Sequence, residues 1–140
     1  MRFGFVGLGQ MGAPMAINLA KVYDVTIFDS KKEIMATVAK KGINAFERPE
    51  QFSKIDALIL CLPDANTVQH VLFDSKKGFT QYLKKGTIII DVGTTEYGVT
   101  LDINNNLDKI GLHFLDAPVS GMSAGAKDCL LYTSPSPRDS

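Results

Sequence analysis

Apolar and polar positions fall along this chain in blocks. Short, largely apolar runs at residues 3–6, 24–28, 43–46, 55–62, 87–91 and 113–116 are separated by longer stretches of mixed character. The run Ile55-Asp56-Ala57-Leu58-Ile59-Leu60-Cys61-Leu62 is nearly all apolar, which suits a strand buried on both faces, as in a parallel sheet. The stretches between runs carry helical spacing instead. Met11, Met15, Leu19 and Val22 share one face of a helix predicted over 10–22, and Pro14 lies near its first turn, where a missing N–H costs least. Ser30-Lys31-Lys32-Glu33 reads as a capping box opening a second helix that reaches residue 40, with Gly42 at its C′ position. A third helix follows Pro63-Asp64 and sets Val68, Val71 and Leu72 on one side; residues 79–83 add a helical turn. The fourth, over 96–110, turns Leu107 and Ile110 inward and ends at Gly111, although Asn104-Asn105-Asn106 lowers its propensity.

Strands alternating with helices, without internal repeat, predict an α/β fold: a doubly wound, Rossmann-type parallel sheet of about six strands. Right-handed crossovers then bring the loops after the strands to one edge. Residues 7–12, 29, 62–67, 93–95 and 118–125 are expected to line a single crevice there.

The first of these loops carries the chemistry. Gly7, Gly9 and Gly12 have G-x-G-x-x-G spacing. That spacing alone is a weak signal, but here it follows a strand, opens a helix and meets an acid, Asp29, about 20 residues later. Gly7 lets the chain turn as it leaves the strand. Gly9 puts no Cβ between the backbone and a pyrophosphate, and Gly12 lets the helix pack closely. Leu8, Gln10 and Met11 complete a turn whose N–H groups, helped by the helix dipole, face the phosphates. Asp29, between Phe28 and Ser30, is placed to accept hydrogen bonds from the adenosine ribose hydroxyls and to repel a 2′-phosphate, so NAD is expected over NADP.

Composition narrows the picture without changing it. At 140 residues the chain suits one domain. Its 15 basic and 15 acidic residues balance, so no basic patch suggests nucleic acid and no acidic run suggests a tail. Two cysteines are too few for a disulfide framework and fit a reduced compartment. No apolar stretch reaches the roughly 18 residues of a membrane-crossing helix, and Met1-Arg2 leads straight into a strand. A cytoplasmic protein is expected, with a mitochondrial one left open, and neither membrane nor nucleic acid as partner. Cys61 reads as core packing rather than a nucleophile, and His70 and His113 as solvated or packed side chains. No metal cluster is visible, and Lys85-Gly86 does not complete a P-loop.

Residues 5–19, Phe-Val-Gly-Leu-Gly-Gln-Met-Gly-Ala-Pro-Met-Ala-Ile-Asn-Leu, resemble the amino-terminal signature of the β-hydroxyacid dehydrogenases, a family that includes, more distantly, 6-phosphogluconate dehydrogenase. Leu62-Pro63, with Thr67 beyond it, resembles the family's loop beside the adenosine and ribose. Asp91-Val92-Gly93-Thr94 resembles its Asp-x-Ser-Thr segment, which places Thr94 near the nicotinamide; glycine stands here for the serine. Asp116-Ala117-Pro118-Val119-Ser120-Gly121 is similar to a second family motif whose serine and glycine touch the substrate carboxylate; Met122 stands where a further glycine is usual. The resemblance covers residues 1 to about 127. It implies an NAD(P)-dependent oxidoreductase that reversibly oxidises a small 3-hydroxy acid to a semialdehyde, with Ser120, Gly121 and Met122 at the substrate. A related imine reductase and a non-catalytic dinucleotide-binding module are the alternatives.

The resemblance also implies what should be missing. Its general acid/base is a lysine in a Gly-x-x-x-Lys-x-x-Asn pattern on a long helix leading to an all-helical second domain, through which members associate as homo-oligomers. No such pattern exists here, and Lys84, Lys85 and Lys127 do not replace it. The nucleotide-binding domain is therefore expected over 1–128, truncated before that second domain and without a catalytic residue. Residues 129–140 resemble the translation of a sequencing-library adapter, so a non-native disordered tail is expected; a genuine Ser/Pro-rich tail is the other reading.

Overall fold

Six strands form one sheet in a computed structural model that describes residues 1–93 and 97–117. They are β1 (Arg2–Val6), β2 (Asp24–Phe28), β3 (Asn44–Ala45), β4 (Ala57–Leu60), β5 (Ile88–Asp91) and β6 (His113–Asp116). Their order is β3-β2-β1-β4-β5-β6, and every pairing is parallel. The chain winds outward from β1 to β3, returns to the other side of β1 at β4, and winds outward again to β6. Between β1 and β4 the connections leave in opposite directions, which opens a crevice at the carboxyl ends of the strands.

Four helices cover the two faces: α1 (Gly12–Ala20), α2 (Lys32–Ala39), α3 (Ala65–Phe73) and α4 (Tyr97–Lys109). Alternate strand residues serve opposite sides. Phe5, Ile27 and Ile59 join Met15, Ala16 and Leu19 of α1 and Met35 and Val38 of α2 in one core. Val6, Leu58, Leu60, Ile89 and Phe114 point the other way, to Val68 and Leu72 of α3 and Ile103 and Leu107 of α4. Both faces of the central strands are thus buried, which is why their sequences read as continuous apolar runs. A cluster of T-shaped and tilted phenylalanines, Phe28, Phe46, Phe52 and Phe79, closes the second core near the end of β2.

Local details depart from the periodicity. Helix α1 begins at Gly12, because residues 10 and 11 belong to the glycine turn. It ends at Ala20, where Val22 and Tyr23 N–H both return to the Leu19 carbonyl. Val22 therefore leaves the helical face and is 74% exposed, and Ala16 takes a buried place in the core instead. Ile110 is likewise exposed, in the turn after α4; the inward residues are Ile103 and Leu107. No side-chain cap forms at Ser30. Asp29 Oδ1 accepts the Lys31 N–H at 2.8 Å, and α2 starts after an extended Lys31. Among the described residues, no helix is long and apolar enough to cross a membrane.

Candidate functional site at the carboxyl edge of the sheet

The segments after β1, β2 and β4 meet over the switch point around a cavity of about 580 Å³. Gly7, Gly9, Gln10, Met11 and Gly12 line it from the turn after β1. Phe28, Asp29 and Ser30 line it from the end of β2, and Leu62, Pro63 and Thr67 from the stretch between β4 and α3. Leu8 differs from its neighbours. Its side chain is buried in the core, 2% exposed, and its N–H, expected to face a phosphate, is donated to Asp29 instead. Thr94, Ser120, Gly121 and Met122 lie outside the described residues, as do Lys127 and the tail 129–140.

Crowding dictates two of the glycines. Gly7 has φ of +100°, a left-handed conformation that side chains disfavour, and a Cβ there would collide with the Cys61 carbonyl oxygen. A Cβ on Gly12 would collide with the Gly7 carbonyl oxygen, so the start of α1 rests directly on the turn. Gly9 has the opposite environment: nothing lies within 4 Å of where its Cβ would be. A side chain there would project into open space at the cavity, where a pyrophosphate would need to approach.

Hydrogen bonds tie the turn to β2. Gly7 N–H donates to the Phe28 carbonyl at 3.1 Å, and Leu8 N–H donates to Asp29 Oδ2 at 2.8 Å. Helix α1 then begins without a side-chain cap, its first turn facing the cavity. The positive end of its dipole suits an anion. Helix α3 starts at the same sheet edge in another way. Asp64 accepts both the Thr67 N–H and the Thr67 hydroxyl at 2.8 Å. The Thr67 backbone bond, then the hydroxyl bond, hold the Asp64 carboxyl below its usual range.

The far side of the cavity is set by β5. Asp91 is fully buried and its Oδ1 accepts the Gly93 N–H at 2.9 Å. A Cβ on Gly93 would sit 2.6 Å from the Leu62 carbonyl oxygen. Glycine at this position thus lets the loops after β4 and β5 touch backbone to backbone; a serine would push them apart. Cys61 also lines the cavity, half-buried, and burial followed by the Asp91 charge pushes its thiol up, so it stays protonated at neutral pH and is a poor nucleophile. His70 is 75% exposed on its side chain, 3.8 Å from Asp74. Lys84 pairs with Asp56 at 2.9 Å, at the amino end of the strands and away from the crevice. Among the described residues no three His, Cys, Asp or Glu could hold a metal ion.

Gly93 lines the wall as expected, whereas sequence reasoning missed Val6, Lys31, Ile34, Cys61, Val71 and Val92. Ile34 and Val71 carry helical spacing indistinguishable from core positions; Ile34 lies in the first turn of α2, but Val71 sits near the end of α3, where nothing in the sequence marks it. A second cavity of about 610 Å³ adjoins the first at Phe28, Asp29, Ser30 and Val71, and Lys32, Arg48, Lys76 and Lys77 line it together with Glu47, Glu50 and Asp74.

Comparison with known proteins agrees with this geometry. The family described as the NAD binding domain of 6-phosphogluconate dehydrogenase matches residues 2–138. The chain is similar to 2-(hydroxymethyl)glutarate dehydrogenase of Eubacterium barkeri, 35% identical over 91% of this chain and 42% of the relative. It is similar to 2-hydroxy-3-oxopropionate reductase of Escherichia coli K12, 34% identical over 91% of this chain and 44% of the relative. Among solved structures, 3-hydroxyisobutyrate dehydrogenase of Mycobacterium tuberculosis with L-serine superposes with a TM-score of 0.82 at 30% identity, covering 90% of this chain and 43% of that one. The chain thus spans less than half the length of these relatives. A parallel sheet in this order, a glycine turn at its switch point and a match along nearly the whole chain lead to one conclusion: the chain belongs to the family of the NAD-binding domain of 6-phosphogluconate dehydrogenase, and with it to the nucleotide-binding domains of the β-hydroxyacid dehydrogenases.

Proposed function

We propose that the chain holds NAD, in preference to NADP, for reversible hydride transfer with a small 3-hydroxy acid or its semialdehyde. The observation that carries the reading is the cavity at the switch point, with the open face of Gly9 on one side and the Asp29 carboxylate on the other. The glycine turn and α1 start would hold the pyrophosphate, and Asp29 the adenosine ribose. Leu62, Pro63 and Thr67 would cover the adenosine side, and Thr94 would lie by the nicotinamide. Ser120, Gly121 and Met122 would meet the substrate carboxylate. When bound, the nicotinamide supplies the hydride chemistry, and the protein positions it.

The described residues offer no general acid/base at the expected place. Lys84 is paired at the opposite end of the strands, and Lys31 lines the cavity beside Asp29, the ribose end in this reading. The chain by itself is therefore expected to bind cofactor with negligible turnover. Its domain is assigned to 1–128, with 129–140 as a non-native tail, in a reduced, cytoplasmic setting. The complete oxidoreductase is assigned a homo-oligomeric state.

Calorimetric titration with NADH and NADPH tests the cofactor assignment. NADH is expected to bind roughly tenfold tighter, a difference of about 1.4 kcal/mol. Equal affinities would overturn the preference, and absence of binding by either would overturn the reading.

A further inference from the structure

Asp29 does more in this structure than face a ribose. Its two carboxylate oxygens are each already held by a backbone donor: Oδ2 by Leu8 N–H and Oδ1 by Lys31 N–H, both at 2.8 Å. Leu8 lies 21 residues earlier in the chain, inside the glycine turn. That turn has two glycines within three residues and leads into a helix without a side-chain cap. Glycines lose more backbone freedom on ordering than other residues, so a turn of this composition needs outside support to stay in one conformation. Two neighbours supply it. On one side the turn packs against the Cys61 carbonyl. On the other, β2 holds it at consecutive positions, Gly7 N–H on the Phe28 carbonyl and Leu8 N–H on Asp29.

We propose that Asp29 is a positioning residue, a brace that sets the glycine turn and the start of α2 in the binding conformation before any cofactor arrives. The inference rests on reading the cavity as the dinucleotide site. Its physical content is preorganisation: a ligand meeting a formed turn does not bear the cost of ordering it. A carboxylate oxygen can accept more than one hydrogen bond, so each oxygen keeps capacity for a ribose hydroxyl while serving the backbone. The same arrangement stiffens cofactor choice. Admitting a 2′-phosphate by rotating the carboxylate away would break both backbone bonds, so the side chain cannot yield at low cost.

Two readouts on the full chain test the brace. The first needs no ligand. In the native chain the amides of Leu8 and Lys31 exchange slowly with solvent. In Asp29→Ala the Leu8 amide exchanges at least about tenfold faster, the worth of one charge-assisted hydrogen bond, while amides of β1, β4 and β5 keep their protection. The second separates bracing from ribose contact. ADP and 2′,3′-dideoxy-ADP are titrated into both forms. A residue acting only on ribose hydroxyls leaves dideoxy-ADP affinity unchanged by the substitution; a brace weakens it severalfold, because the pyrophosphate meets an unset turn. Asp29→Asn retains the shape but turns an NH₂ toward one of the two donors. It loses protection at Leu8 or Lys31 but not both, and it serves if the alanine variant does not fold. Unchanged Leu8 exchange or unchanged dideoxy-ADP affinity would overturn the proposal. If ADP fails to bind the native chain while Leu8 exchange responds as stated, the dinucleotide reading fails and the brace stands.

Discussion

Helices α1 and α3 start at the same edge of the sheet, on either side of the switch point, and they are finished differently. Helix α3 is closed by its own sequence: Asp64 accepts the Thr67 backbone and hydroxyl and so satisfies the first turn from within. Helix α1 has no side-chain cap, and three glycines shape its approach. Its support comes from elsewhere, from Asp29 at the end of β2 and from the Cys61 carbonyl at the end of β4. An ordinary helix start is stabilised locally. One that must present N–H groups to an anion is left open in front and held from behind.

Changes at the two starts should separate stability from binding. The largest effect belongs to Gly12. Gly12→Ala drives a Cβ into the Gly7 carbonyl, and overpacking of this kind should cost about 3 kcal/mol in denaturant unfolding, with loss of cofactor binding. Gly9→Val should do nearly the reverse. Nothing surrounds that Cβ, so the melting temperature should hold while NADH affinity falls roughly 100-fold, or about 2.7 kcal/mol. A third change makes α1 resemble α3. Met11→Asp places a carboxylate at the open helix start; the dipole should reward it by about 0.5 kcal/mol of stability, while the charge opposes the phosphates and weakens NADH binding severalfold.

The smallest effect is at α3. Asp64→Ala should lower the melting temperature by a few degrees and change NADH affinity far less than Gly9→Val, since it frees only the Thr67 hydroxyl at the cavity wall. Its pH signature has a definite sign. The Asp64 carboxyl is held below its ordinary value in the folded chain, so its contribution is present above the unfolded value of about 3.9 and is lost as pH falls through the folded value. Unfolding measured against pH should show a shallower acid decline in the alanine variant. Parallel declines would mean that the cap contributes nothing.

What could be read in the residues alone follows the same division. The parallel sheet and the glycine turn were legible because strand burial and backbone crowding impose residue types: apolar runs in β4 and β5, no Cβ at Gly7 or Gly12. The bonding of Asp29 was only half legible. Its position after β2 announces an acceptor, but nothing in the sequence shows that Leu8, 21 residues away, donates to it. The expected capping box at Ser30 failed for the same reason: Asp29 closes that turn first. Val22 and Ile110 were misjudged because periodicity does not reveal where a helix stops, and both fall in the turn just past an end. Gly93 was placed at the crevice, but why it is a glycine showed only as a departure from the pattern it resembles. Its cause, backbone contact with Leu62, is a tertiary fact.

The central claim is that the open face of Gly9 is where a dinucleotide phosphate sits. Titrating NADH into the native chain and into Gly9→Val, with thermal melting of both, addresses it directly. The account predicts saturable binding to the native chain, loss of that binding in the variant, and coincident melting curves. Undiminished binding to a folded Gly9→Val chain would contradict it.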